Sequence, residues 1–309
     1  MNNIFIYQHS DCLQHDPGPH HPENAGRLQS IMLALRDAPI ASQLQFIDAP
    51  LGTKAQVLLA HDSDLWDEVE RASPTQGRLS LDPDTHLSPG SRNAALRGVG
   101  GACAGIDALM ARQTRHAFCL TRPPGHHATP ERAMGFCIFN QVAIAALHAM
   151  QQHGIARVAI VDFDVHHGNG TQDICEGKQG LLYVSTHQFP HYPGTGSRAA
   201  NRAGNIHNVP LVDGTGDKQY RDVFSREVLP QLSAFAPQLL LVSAGFDAHI
   251  QDPLAGLRLD EGTYEWLGQQ LRQVADHHCD GRLLSVLEGG YNLDVLGDSV
   301  AAYCSGTLG

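Results

Sequence analysis

Short apolar runs rich in β-branched residues recur along this chain, each followed by a longer stretch with helical spacing. The runs Ile4–Tyr7, Ala117–Thr121, Val158–Asp164, Leu181–Thr186, Leu239–Ala244 and Leu283–Leu287 predict strands. Helical patterns occupy roughly 22–38, 91–112, 138–153, 217–235 and 260–277, and a last one begins near Leu293. Near-continuous apolar strands are buried on both faces. The alternation therefore predicts an α/β protein, with one mostly parallel central sheet in the middle of three layers. The Gly/Pro-rich pieces are short, at Asp82–Gly90, Arg122–Gly125, Pro190–Gly196 and Val212–Gly216. They read as loops at one rim. No repeat, low-complexity tract or linker interrupts the pattern, so residues 1–309 are expected to form a single domain.

One run breaks its own pattern. Val158-Ala-Ile-Val begins as a buried strand, and then Asp162, Asp164 and His166 stand at every second position. Alternation puts these three on one face, with Phe163 and Val165 on the other. Buried carboxylates are costly unless paired or bound to a metal. Two acids and an imidazole without a thiolate suit a catalytic zinc or a similar divalent ion. A buried ion-pair network without metal is the plainer alternative.

Composition narrows the classes. The chain has 309 residues, 42% of them hydrophobic and 17% charged, an ordinary globular balance. A net charge of −11 argues against a general binder of nucleic acid or anionic membranes. Seven cysteines without a C-x-x-C pair suggest a reduced, cytoplasmic protein, with Cys103, Cys119 and Cys137 as buried filler. Nineteen histidines include the pairs His20-His21, His126-His127, His166-His167 and His277-His278, of which the last reads as a helix surface. The N-terminus lacks the features of a secretory signal, and no apolar run reaches the length of a transmembrane helix.

The polar motifs fall at strand exits. Arg122-Pro-Pro-Gly-His-His127, Asp164–His167, Ala244-Gly-Phe-Asp247 and Glu288-Gly-Gly-Tyr291 each follow a predicted strand. Open parallel sheets bind ligands outside the C-terminal ends of their strands. Taken with Asp162-Phe-Asp164-Val-His166-His-Gly-Asn-Gly-Thr171, Pro193-Gly-Thr-Gly196, His21-Pro-Glu23 and Met134-Gly-Phe-Cys137, the set resembles the zinc-dependent histone deacetylase and acetylpolyamine amidohydrolase superfamily. The motifs come in that superfamily's order and span most of the chain. Asn169, Arg122-Pro-Pro-Gly-His-His and Tyr291 resemble its class II enzymes and their bacterial histone deacetylase-like amidohydrolases.

The resemblance implies an arginase/deacetylase-type fold. It implies one zinc ion held by Asp164, His166 and Asp247, with an open position for water and substrate. It implies a structural potassium ion near Asp162, Ser185 and Thr186, with Asp162 also orienting His126. Amide hydrolysis needs a base for water, an acid for the leaving amine and a donor to the oxyanion. His127 is assigned as base and acid, His126 as its electrostatic partner and Tyr291 as the oxyanion donor. Two adjacent titrating histidines leave that division open. Gly135, Phe136 and Tyr192 are expected along a substrate channel, with Leu254 and Asp84 near its mouth. Leu254 stands where polyamine-selective relatives place an acid, which argues against that selectivity.

Each residue has a plainer reading. Asp247 alone could cap a helix. Tyr291 could be packing behind a glycine turn, and Phe136 and Tyr192 could be core aromatics. Arg27 could line a pocket below the metal or form an ion pair. The expected activity is removal of acetyl or other acyl groups from acyl-lysine or a related N-acyl amine. An acetylpolyamine amidohydrolase is the nearest rival, and a non-catalytic acyl-amine binder or an arginase-like ureohydrolase the more distant ones. The substrate is the only partner expected, with homo-oligomer formation left open.

Overall fold

The computed structural model describes residues 3–201 and 204–308. Residues 1 and 2 of the N-terminal segment, and residues 202, 203 and 309 of the expected 1–309 unit, lie outside the described residues. Eight strands form one sheet: β1 (Ile4–Gln8), β2 (Leu44–Asp48), β5 (His116–Cys119), β6 (Val158–Asp162), β7 (Leu181–Gln188), β8 (Ile206–Leu211), β9 (Leu239–Ala244) and β10 (Leu283–Leu287). Their order is β2-β1-β5-β10-β9-β6-β7-β8, and every pairing is parallel. The α/β expectation therefore holds. A separate antiparallel hairpin joins β3 (Leu79–Asp82) to β4 (Thr85–Leu87).

Strand alternation divides the core in two. Ala159 and Val161 of β6 join one cluster with Ile4, Ile6, Leu240 and Val242. Val158 and Ile160 join the other with Tyr7, Leu239 and Leu241. The first face packs against α1 (Gly26–Asp37), α9 (Glu261–His278) and α10 (Leu293–Leu308). The second packs against α4 (Ser91–Met110) and α5 (Gln141–His153). The remaining helices are α2 (Lys54–Val57), α3 (Ser63–Ala72), α6 (Asn169–Cys175), α7 (Asp217–Val223) and α8 (Leu229–Phe235). A π-helical turn at Phe224–Val228 links the last two, so the helical pattern at 217–235 is one interrupted helix.

Several expectations need correction. The strand over Val158–Asp164 ends its ladder at Asp162, so Asp164 and His166 stand on the turn beyond it. Phe163 and Val165 nevertheless pack with Ala159 and Val161, so the alternation of faces outlasts the strand. The helix read over 22–38 begins at Gly26, because Asn24 turns the chain first by accepting from the Gly26 N–H at 2.9 Å. Asp82–Gly90 is not plain loop, since it contains β4. The sequence pattern also missed the edge strands β2 and β8. Their burial alternates or is low, so they lack the continuous apolar run of a central strand. Among the described residues, no helix is long and apolar enough to cross a membrane.

Candidate active site

The site lies at the C-terminal edge of the sheet, where β5, β6, β9 and β10 each deliver a loop. Asp164 and His166 follow β6, and Asp247 follows β9. His166 Nδ1 lies 3.1 Å from Asp164 Oδ1 and 3.0 Å from Asp247 Oδ2. These three buried side chains bring ligand atoms within 4.8 Å of one another. Asp164 is fixed further by the Gly289 N–H at 2.8 Å, and Asp247 by the Val165 N–H at 2.9 Å. Burial disfavours a charged ring, yet hydrogen bonds to Asp164 and Asp247 outweigh it and raise His166 to about 10. Burial and the Asp164 charge push Asp247 up to about 7. Two carboxylates and an imidazole, sharing so little space, form a donor set suited to a divalent cation.

Glycines permit this approach. A Cβ on Gly289 would stand 2.1 Å from Asp247 Oδ2 and 2.7 Å from Asp164 Oδ2. A Cβ on Gly135 would meet the His127 ring at 2.5 Å, and its φ of +59° also favours glycine. Phe136 follows in the same left-handed region at φ +68°, an uncommon conformation for a bulky residue. The β3–β4 hairpin clamps this strained pair. Gly135 N–H donates to Asp84 Oδ1 at 3.2 Å, and Phe136 N–H donates to Thr85 Oγ1 at 3.0 Å.

The two histidines after β5 have different partners. His126 Nδ1 lies 3.0 Å from Asp162 Oδ2, the oxygen that also accepts from the Tyr183 hydroxyl at 2.9 Å. Burial opposes a charged His126, but Asp164, Asp162 and Glu288 outweigh it and hold the ring well above its usual value. Burial also pushes Asp162 up, with His126 opposing, so the dyad keeps a proton between its members. His127 Nδ1 faces the side-chain carbonyl of Asn169 at 2.8 Å. The Asn169 amide donates toward the His127 carbonyl at 3.5 Å, which orients the carbonyl end at the ring. Nδ1 of His127 therefore carries the proton and Nε2 is the basic nitrogen. Burial, then the charges of His126 and His166, hold His127 well below its usual value.

Aromatic rings border these groups. Tyr192 stands edge-on to His127 at 5.1 Å and to His166 at 6.1 Å, and is 38% exposed. Phe136 packs edge-on to Tyr291 at 5.9 Å and to His21 at 4.6 Å. His191 stacks on His166 at 5.1 Å and reaches the Leu254 carbonyl through Nε2 at 3.1 Å. The Tyr291 ring lies under the Arg27 guanidinium at 5.0 Å. Burial, then the Asp247 and Asp164 charges against Arg27, raises the Tyr291 hydroxyl well above its usual value, so it stays a donor.

The structure thus gathers His126, His127, Asp162, Asp164, His166, Asp247 and Tyr291, with Gly135, Phe136 and Tyr192 around them. Asp84 turns its carboxylate to Gly135 and Thr85. Ser185 Oγ pairs with His187 Nδ1 at 2.8 Å, and Thr186 Oγ1 with the Tyr220 hydroxyl at 2.7 Å. Arg27 is fully buried and forms its ion pair with the equally buried Glu23 at 3.3 Å.

The sequence pattern gives no role to the carboxylate of Glu288, although Glu288-Gly-Gly-Tyr291 is one of its strand-exit motifs. Its Oε2 accepts from the Gly125 and His126 N–H groups at 2.7 and 3.1 Å, and burial pushes it up to about 7. The pattern also missed Tyr183 beside Asp162. Asp252 was likewise missed, and its carboxylate ties Tyr291 N–H to Leu254 N–H at 2.7 and 3.0 Å. A carboxylate directly after an apolar strand was the available signal for Glu288. No local pattern marks the other two.

A parallel sheet carrying this cluster at its C-terminal edge defines an α/β protein with a candidate divalent-metal site at its strand ends. Residues 21–307 match the model of the histone deacetylase domain. The chain is 37% identical to a histone deacetylase-like amidohydrolase of Pseudomonas aeruginosa, over 91% of this chain and 80% of the relative. It is 37% identical to the chloroplastic histone deacetylase 10 of Oryza sativa subsp. japonica, over 96% and 71%. The crystal structure of the HDA15 HD domain superposes with a TM-score of 0.93 at 35% identity, covering 99% of this chain and 88% of that one. The chain belongs to the histone deacetylase family. That membership makes it an amidohydrolase of deacetylase type and implies a metal ion.

Proposed function

We propose that this protein is a zinc-dependent deacylase acting on acyl-lysine in proteins or peptides, or on a closely related N-acyl amine. The observation that carries the reading is the pair His126 and His127, held beside the Asp164–His166–Asp247 cluster by different partners. Asp162 keeps a proton on its dyad with His126, while Asn169 leaves His127 Nε2 basic. Asp164, His166 and Asp247 would hold the ion. When bound, a zinc ion supplies Lewis-acid chemistry, lowering the pKa of a water and polarising the acyl carbonyl. His127 Nε2 takes the proton from the attacking water and returns it to the leaving amine. The charged His126 ring and the Tyr291 hydroxyl stabilise negative charge developing on the acyl oxygen. Gly135, Phe136 and Tyr192 wall the channel that admits the side chain, with Asp84 and Leu254 near its mouth. A potassium ion near Asp162, Ser185 and Thr186 remains part of the proposal, as do a single catalytic unit over 1–309 and a cytoplasmic setting.

Leu254 favours acyl-lysine over acetylpolyamines, because an apolar side chain there gives a second ammonium no partner. The experiment is a panel of rates on acetyl-, trifluoroacetyl- and longer-chain acyl-lysine peptides beside acetylated polyamines, with stripped and zinc-reloaded protein. Turnover of acyl-lysine that returns with zinc is expected, and Asp247→Ala should abolish it. Faster turnover of acetylpolyamines would reverse the substrate assignment. Equal activity without metal would remove the mechanism.

A further inference from the structure

A second convergence of ligand atoms lies far from the cleft, at the opposite end of strand β6. Helices α4 and α5 end side by side there. Asp107 projects from the last turns of α4, and His148 and His153 from the last two turns of α5. The Nε2 atoms of His148 and His153 lie 2.8 and 2.7 Å from the same oxygen, Asp107 Oδ1. All three ligand atoms fall within 4.8 Å of one another, and the rings stand edge to face at 5.7 Å. The Asp107 side chain is 56% exposed, so the cluster opens to solvent.

We propose that Asp107, His148 and His153 form a surface site for a divalent transition ion such as Zn2+, Ni2+ or Cu2+, clipping α4 to α5. Two imidazole nitrogens and one carboxylate oxygen suit such ions, with water filling the remaining positions. Hydrogen bonding alone is a poorer account of this crowding. A carboxylate offers two oxygens with about four lone-pair sites. Both rings nevertheless meet at Oδ1, while Oδ2 has no protein hydrogen bond among the described residues. The two rings outweigh burial in keeping the Asp107 carboxyl below its usual range, so the anion persists at neutral pH. The helix ends just beyond His153, at Gly154 with φ +65°, which frees the last ring to turn toward α4. An ion there joins two helices that pack on the same sheet face and adds binding free energy to the folded state alone.

The test uses the full chain with its cleft metal retained, equilibrated with NiCl2. Metal content is measured by mass spectrometry of the elements, and unfolding by a thermal scan. Wild type is expected to take up one ion more than His153→Ala. Nickel should raise its Tm by about 3 °C or more beyond the shift seen in His153→Ala. Deacylase turnover should be the same in both. Asp107→Asn, which keeps the shape and loses the charge, should behave like His153→Ala and serves if that variant folds poorly. Asp164→Ala should lose the cleft ion and keep this one, which separates failure here from failure of the catalytic reading. Equal metal content and equal Tm shifts in wild type and both helix variants would overturn the site.

Discussion

Tyr291 illustrates how much one side chain depends on its surroundings. Two glycines precede it, Arg27 lies over its ring, Phe136 packs on its edge, and Asp252 holds its backbone N–H. These contacts place the ring without using its hydroxyl, which leaves the hydroxyl for the substrate. Tyr291→Phe should therefore fold and bind metal normally. Turnover should fall by roughly 10²- to 10³-fold, the usual loss for one oxyanion donor. Steady-state rates beside metal content decide this, and unchanged turnover would remove the assigned role. His126 and His127 make the same point for charge. They are neighbours in sequence, yet against burial Asp164 and Asp162 raise one, while burial beside charged rings lowers the other. Their residue type was legible in the sequence, but the division of labour was not, because it depends on partners 36 and 42 positions away.

At the scale of elements, the site is a set of turns braced from below. Glu23 lies fully buried between Arg122, which meets it at 2.6 and 2.7 Å, and Arg27 at 3.3 Å. Arg27 passes the support on by donating to the Gly290 and Glu288 carbonyls. The β10 turn is thus held from beneath by this network and from the side by Asp164, which accepts from Gly289. Gly289→Ala tests the turn itself. Its Cβ would require Asp247 and Asp164 to move apart, so we expect loss of the cleft metal and of activity. The fold should largely persist, with the expected cost on the order of 1–3 kcal/mol for an overpacked site. Metal analysis with circular dichroism would show it, and a fully metallated Gly289→Ala would contradict the close approach. The central strands were readable because they are buried on both faces. The edge strands and the β3–β4 hairpin were not, because their apolar content is low and their pairing is decided by distant neighbours.

For the whole molecule, metal, protons and stability are linked. In the free chain Asp164 and Asp247 hold the His166 proton up to about 10. Ligation requires that proton to leave, so metal uptake at neutral pH releases it. The sign follows directly: acidification favours the protonated ring and weakens the metal. Zinc affinity should fall about tenfold per pH unit from about pH 8 to pH 7, where the His166 proton competes, and more steeply toward pH 6, where Asp247, pushed up to about 7, also takes a proton. The metal adds about 2.7 kcal/mol to folding at a free concentration of 100 Kd, so Tm in zinc should decline over the same range. Competition with a chromophoric chelator measures the affinity, and a flat profile would contradict displacement of the proton. By itself the sequence determined the α/β class, the central strands and the residue types at the rim. Local periodicity and strand-exit motifs are properties of the chain alone. Only the tertiary structure decided that Asp164 and His166 stand beyond the strand, and only it brings Asp247 from β9 to His166 and Asp162 to His126, two pairings that the family resemblance had implied, each at 3.0 Å. Those outcomes follow from the parallel register, which sets Asp162 level with Ser243 and Ser185 and brings four loops to one edge.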